Sequence, residues 1–370
     1  MSLCPHFCGK LSPLFIFIFF GFFIVHFGAK RLISAGIISL MASCLIYAFV
    51  RNIYVFYIGG ALLGIGLSWT TTTIVGYIVN IWCKKNQGTI TGAILASNGI
   101  GAVVATQTMS PVIHSGVFGY QKAYLIISAL LLVVLFVVII FFKNSPHDED
   151  HTEEVAKKKS KSSWVGVDYS ELIRKPYFYG ALICIFLTGM VLQGMSGIST
   201  PCMYDAGVNE AYVATVLSVS SVILTCSKFL VGFLNDKAGI RLTTSLCMFA
   251  AVLSFLSLTL VSDGSTGRMM CMGYAVFAPI AFPLETIMLP LYAAHFCGEK
   301  SFAKALGLFV SVNTAGYAVG APLMNLCFDI TGNYNIGLYA SCAVIIAVFI
   351  SMNLILSAAK RHRKEIEKEI

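Results

Sequence analysis

The strongest constraint on this chain is a succession of apolar runs, each on the scale of a bilayer crossing. A helix needs about 20 mostly apolar residues to span the hydrocarbon core. Eleven candidate runs cover residues 11–26, 32–50, 55–81, 88–113, 123–142, 178–201, 211–234, 242–261, 270–296, 303–328 and 336–359. The composition agrees, with 57% of residues hydrophobic and only 11% charged. A soluble domain carries about 25% charged residues. A soluble enzyme and a nucleic-acid binder are therefore excluded, despite a formal net charge of +8. A β-barrel is excluded because the apolar residues run continuously and do not alternate. The expectation is an all-α, multi-pass integral protein, placed in the plasma membrane.

The loops carry the orientation. Cytoplasmic loops are enriched in Lys and Arg. Twenty of the 25 basic residues, from Lys30 and Arg31 to Lys364 and Lys368, fall in one alternating set of loops. Only Lys10, Arg51, Lys122 and Arg268 fall in the other, and Lys228 lies within a span. This puts the C-terminus in the cytoplasm and, with eleven crossings, the N-terminus outside. The basic excess is then a topological bias, with a contact to anionic lipid as its second use. The 12 cysteines show no metal-ligand spacing. Most sit inside spans, where a thiol packs as a small hydrophobe.

Residues 144–176 form the one long polar stretch, an acidic block followed by a basic one. Such a segment stays solvated. It divides the chain into an N-terminal bundle (1–143), a cytoplasmic linker (144–176), a C-terminal bundle (177–359) and a tail (360–370). A short surface helix is expected over Tyr169–Ile173. The bundles repeat one another. Gly21 and Gly28 are seven apart, as are Gly232 and Gly239, at an offset of 211. Gly92, Asn98 and Gly101 match Gly307, Asn313 and Gly316 at an offset of 215. Internal repeats of this kind mark secondary transporters, with the site between halves near the midplane.

With these motifs the chain resembles the major facilitator superfamily over nearly its whole length. The family's loop motif reads Gly-x-x-x-Asp-Arg/Lys-x-Gly-x-Arg/Lys. The second copy keeps Gly232, Asp236, Lys237, Gly239 and Arg241, whereas the first keeps Gly21, Gly28 and Lys30 but has Val25 and His26 in place of the Asp and Arg. Trp82 to Gly92 and Gly119 to Tyr124 resemble the oxalate/formate and monocarboxylate porter branch. The resemblance implies a two-bundle transporter in which Asp236 caps a neighbouring helix and pairs with a basic residue as a gate. It also implies that the first span matches the family's second helix, leaving the first without a counterpart.

Charge inside hydrocarbon costs about 2.5–3.5 kcal/mol at a helix centre, so intramembrane charges are the first candidates for function. Lys228 stands four residues before Gly232, where the resemblance places an arginine that contacts a substrate carboxylate. Its simpler reading is a snorkelling or internally paired lysine. Glu285, flanked by Pro283 and Pro290, reads as a proton-coupling group, as a countercharge for Lys228, or as a structural ion pair with it. The offset of 215 sets Thr70 opposite Glu285, within Trp69-Thr70-Thr71-Thr72-Thr73. Threonines back-bond to helix carbonyls; otherwise Thr70 and Thr73 line the cavity. Gln193 and Asn313 either line it too or, as expected for Asn98, hydrogen-bond between helices.

No cofactor pattern, phosphate-binding loop or Ser-His-Asp set is present, so an enzyme is not expected. The leading function is a secondary transporter for a small organic carboxylate, working by alternating access. The expected partners are the solute, a coupling proton or counter-anion, and membrane lipid. The alternatives are an exporter of drugs or other hydrophobic cations, with Glu285 as acceptor, and a truncated relative that does not transport.

Overall fold

The computed structural model describes residues 20–50, 52–83, 85–113, 118–142, 168–262, 264–298 and 301–369. Among these residues there is no strand. The helices, in chain order, are α1 (Phe20–Phe49), α2 (Ile53–Thr70), α3 (Thr72–Trp82), α4 (Gln87–Ile113), α5 (Gly119–Phe141), α6 (Tyr169–Leu172), α7 (Pro176–Asp205), α8 (Glu210–Ala238), α9 (Ile240–Thr259), α10 (Ser265–Ala281), α11 (Met288–Cys297), α12 (Phe302–Thr331) and α13 (Asn335–Glu369). Among the described residues ten helical segments are long and apolar enough to cross a membrane, and they coincide with the last ten expected runs. The first expected run begins outside the described residues, as does most of the polar linker. The short helix expected at its end is α6, with Asp168 at its N-cap position.

The repeat is written into the backbone. α1 is two helical stretches that meet at Gly28, with φ 76° and ψ 160°. Gly239 joins α8 to α9 with φ 82° and ψ 163°. Only glycine enters this region readily, so in each half one residue breaks the helix between two helical stretches. The run over 11–26 and the run over 32–50 therefore meet within a single continuous element.

Two further interruptions are also equivalent. α2 gives way to α3 at Thr71 (φ −108°, ψ −144°). β-Branched residues are modest helix formers, and here the Thr70 and Thr71 hydroxyls donate to the Gly66 and Leu67 carbonyls at 2.8 and 2.7 Å. In the second half α10 runs into a 3-10 turn, Phe282–Glu285, and resumes as α11 after Thr286 (φ −121°, ψ −66°). Proline causes this break. Pro283 has no N–H for the carbonyl one turn back, and Ser227 of α8 supplies the missing donor to the Pro279 oxygen at 2.6 Å. Thr71 and Thr286 stand 215 residues apart, the same offset as the glycine and asparagine repeat.

The chain forms two compact units that do not follow its halves. The first comprises residues 1–85, 100–166 and 298–311, and the second 86–99, 167–297 and 312–370. Thus α4 and α12, themselves repeat equivalents, are each shared between units. In the first unit α1 crosses α2 on small residues: Ser39 and Ser43 donate to the Leu62 and Gly59 carbonyls at 3.0 and 2.8 Å. A Cβ at Gly36 would fall 3.3 Å from the Gly66 oxygen. Close approach over small residues is how helices associate in lipid, where hydrophobicity gives no drive. In the second unit the start of α4 lies on α8. A Cβ at Gly88 or Gly92 would meet the backbone oxygen of Gly232 or Lys228 at 2.5 Å.

Candidate functional site

The loop motif is best resolved at the end of α8. Asp236 caps the start of α4: Gly88 N–H donates to Oδ1 at 3.0 Å, and Thr89 N–H and its hydroxyl donate to Oδ2 at 2.7 and 2.6 Å. A carboxylate at a helix N-terminus satisfies orphan amides and opposes the helix dipole. Gly232 brings the two backbones close enough for this. Among the described residues Asp236 makes no ion pair; its oxygens are taken by two backbone amides and a hydroxyl. Lys237 lies over the Phe233 ring, 4.5 Å from its centre. Arg241 donates to Asn353 Oδ1 on α13 at 3.3 Å, and Ser245 donates to the same atom at 3.1 Å. In the first copy Gly21 lies in the first turn of α1, Gly28 makes the turn and Lys30 follows it. Around this copy Ile24, Ala29, Leu32 and Ile74 form an apolar cluster against which Ala303 packs.

The break between α10 and α11 puts Glu285 inside the second unit with 8% of its surface exposed. Tyr317, on α12, lies beside its carboxylate. Its Oε1 atom and the neighbouring Thr286 hydroxyl are buried with no partner. Lys228 is half-buried on α8, and no ion pair joins it to Glu285 among the described residues. The countercharge reading of Glu285 has no ion pair to rest on among the described residues. The geometric reason is local. The Lys228 backbone oxygen is packed against Gly92 of α4, whereas Glu285 sits in the turn faced by Tyr317.

The remaining candidates divide. Asn313 is 2% exposed, and its amide donates to the Ile185 carbonyl at 3.3 Å. It packs against Gly189, where an added Cβ would lie 2.6 Å from Asn313 Nδ2. It is committed to the α7–α12 crossing. Gln193 is half-buried on α7. In the first unit Thr70 back-bonds to Gly66, while the Thr73 hydroxyl, fully buried, has no partner. Trp69 Nε1, one turn earlier, is likewise buried and unpartnered. Sequence reasoning missed Tyr317 because a tyrosine within an apolar span carries no charge. The spacing of Asn313 and Tyr317, one helical turn apart on α12, was its available signal.

Comparison with known proteins agrees with this architecture. The family model of the Major Facilitator Superfamily matches residues 11–321. An uncharacterised MFS-type transporter of Bacillus subtilis, YcxA, is 25% identical, with 95% of this chain and 85% of the relative covered. Human monocarboxylate transporter 2 is 22% identical, with 91% and 73% covered. The crystal structure of the E. coli fucose:proton symporter FucP superposes with a TM-score of 0.71 at 16% identity, covering 94% of this chain and 90% of that one. On the family match, with the repeated glycine turn and paired helix breaks beside it, this multi-pass membrane chain belongs to the major facilitator superfamily of transporters.

Proposed function

We propose that this transporter moves a small organic carboxylate by alternating access, with Lys228 binding the carboxylate and Glu285 exchanging a coupling proton. The observation that carries the reading is Lys228. It is an ammonium group within a membrane span, half-buried and without a carboxylate in ion-pair range among the described residues. An intramembrane charge is retained at a cost of about 2.5–3.5 kcal/mol, and function is its default explanation. An anionic solute supplies the partner that the protein does not. The similarity to a monocarboxylate transporter points the same way. Glu285 suits proton exchange because it is a buried acid, with no ion pair among the described residues and one oxygen unpartnered.

The test is thermal stability of the purified protein against formate, lactate, oxalate, neutral sugars and lipophilic cations. A ligand at a hundred times its dissociation constant stabilises the folded state by about 2.7 kcal/mol. Stabilisation by carboxylates is expected in the wild type and absent in Lys228→Ala. The melting temperature of that variant without ligand should not fall, because an unpaired charge has been removed. Normal carboxylate binding by Lys228→Ala would sink the lysine assignment. Stabilisation by cations alone would move the reading to an exporter built on Glu285.

A further inference from the structure

The interruption between α2 and α3 places a helix start inside a membrane span of the first unit. α3 runs for 11 residues from Thr72. Its N-cap residue, Thr71, makes no side-chain cap, because its hydroxyl donates backward to Leu67. A helix start carries partial positive charge and amide donors. Two side chains in the adjoining turns hold buried polar atoms that have no partner among the described residues. Thr73, in the first turn of α3, has 0% of its surface exposed, and its hydroxyl has no partner. Trp69, in the last turn of α2, has a buried Nε1 without an acceptor. An indole N–H only donates, and leaving a buried donor unmet is costly. The indole is fixed in place. Its ring packs edge-on to Phe23 with centroids 6.0 Å apart, and its Cβ would lie 3.1 Å from a Cβ added at Gly36.

We infer that the α2–α3 break is an oxyanion subsite of the first unit, in which Trp69 Nε1, the Thr73 hydroxyl and the start of α3 receive a carboxylate oxygen. Every group that defines the subsite can donate, and none is an anion. A donor-only cation would leave the indole unmet, and a carboxylate accepts from all of these donors with a charge-assisted bond, stronger than that of a neutral oxygen. The equivalent break in the other unit presents an acid, Glu285, so the two breaks differ in the ligand charge they accept. The inference rests on the organic-anion reading above, but on different residues.

The experiment is binding of formate, lactate and oxalate to the full chain, measured by calorimetry on the wild type, Trp69→Phe, Thr73→Val and Thr73→Ser. Trp69→Phe keeps a ring and removes the donor. Thr73→Val keeps the shape and removes the hydroxyl. Each is expected to weaken carboxylate binding about tenfold, the value of a hydrogen bond to a charged group, and Thr73→Ser to restore it. Thr73→Val should also raise the melting temperature of the ligand-free protein, because it deletes an unsatisfied buried group. A merely structural threonine would lose stability and leave binding alone. If Trp69→Phe fails to fold, the Thr73 pair decides. Wild-type affinity in both Trp69→Phe and Thr73→Val overturns the subsite and leaves the organic-anion reading standing. A wild type that binds none of the three carboxylates overturns that reading and the subsite with it.

Discussion

Asp236 shows what one carboxylate does at a helix junction. Its two oxygens take three donors from Gly88 and Thr89 at the start of α4. Asp236→Ala should lower stability by about 0.5–2 kcal/mol, the usual cost of a lost N-cap. Asp236→Asn, which keeps one acceptor oxygen but no charge, should fall between, and thermal unfolding of the three proteins checks the order. Asp236 was legible in the sequence because its glycines and basic neighbours keep fixed spacing. Lys228 and Glu285 were legible because charge in an apolar run is conspicuous. Partners were not. Whether Glu285 meets a lysine or a tyrosine depends on which face of α12 turns toward a proline-broken helix, and no local pattern encodes that. The threonine cluster was half legible. Back-bonding is an intrinsic habit of threonine, and Thr70 follows it, but the exception at Thr73 arises from the helix break.

At the scale of elements, glycine separates positions of fixed conformation from positions of mere proximity. Gly28 and Gly239 turn the chain at φ 76° and 82°, in a region open essentially to glycine alone. Gly28→Ala and Gly239→Ala should each cost about 1–3 kcal/mol. Gly101 is helical, and a Cβ there would have nothing within 4 Å. Gly101→Ala should therefore stabilise α4, by about 0.5–1 kcal/mol, whereas at Gly92 the same change meets the Lys228 oxygen at 2.5 Å. Denaturation in detergent separates Gly101 from the other positions by sign. The sequence repeat paired Gly101 with Gly316, yet a Cβ at Gly316 would clash with the backbone of α7. A repeat thus predicts equivalent position but not equivalent packing. The helix breaks were less legible than the turns. Pro283 announces the one in the second half, but the break at Thr71 has no proline and arises from four successive threonines.

For the whole molecule, ten of the eleven expected spans followed from hydropathy, because lipid leaves a helix no alternative. The compact units did not follow, because α4 and α12 each begin in one unit and end in the other. Lys228 and Glu285 both lie in the second unit, and a coupling free energy between solute and proton needs no direct contact between them. That separates two steps in an experiment. In vesicles holding the wild type, an inward proton gradient should drive carboxylate accumulation. Glu285→Gln keeps the size and the hydrogen-bonding capacity toward Tyr317 but cannot give up a proton. It should abolish gradient-driven accumulation while exchange of labelled for unlabelled carboxylate continues at a comparable rate. Lys228→Ala should abolish both. Accumulation that persists in Glu285→Gln would make the carboxylate a structural partner of Tyr317 and assign the driving force to a counter-anion. Loss of exchange as well would place Glu285 in solute binding itself.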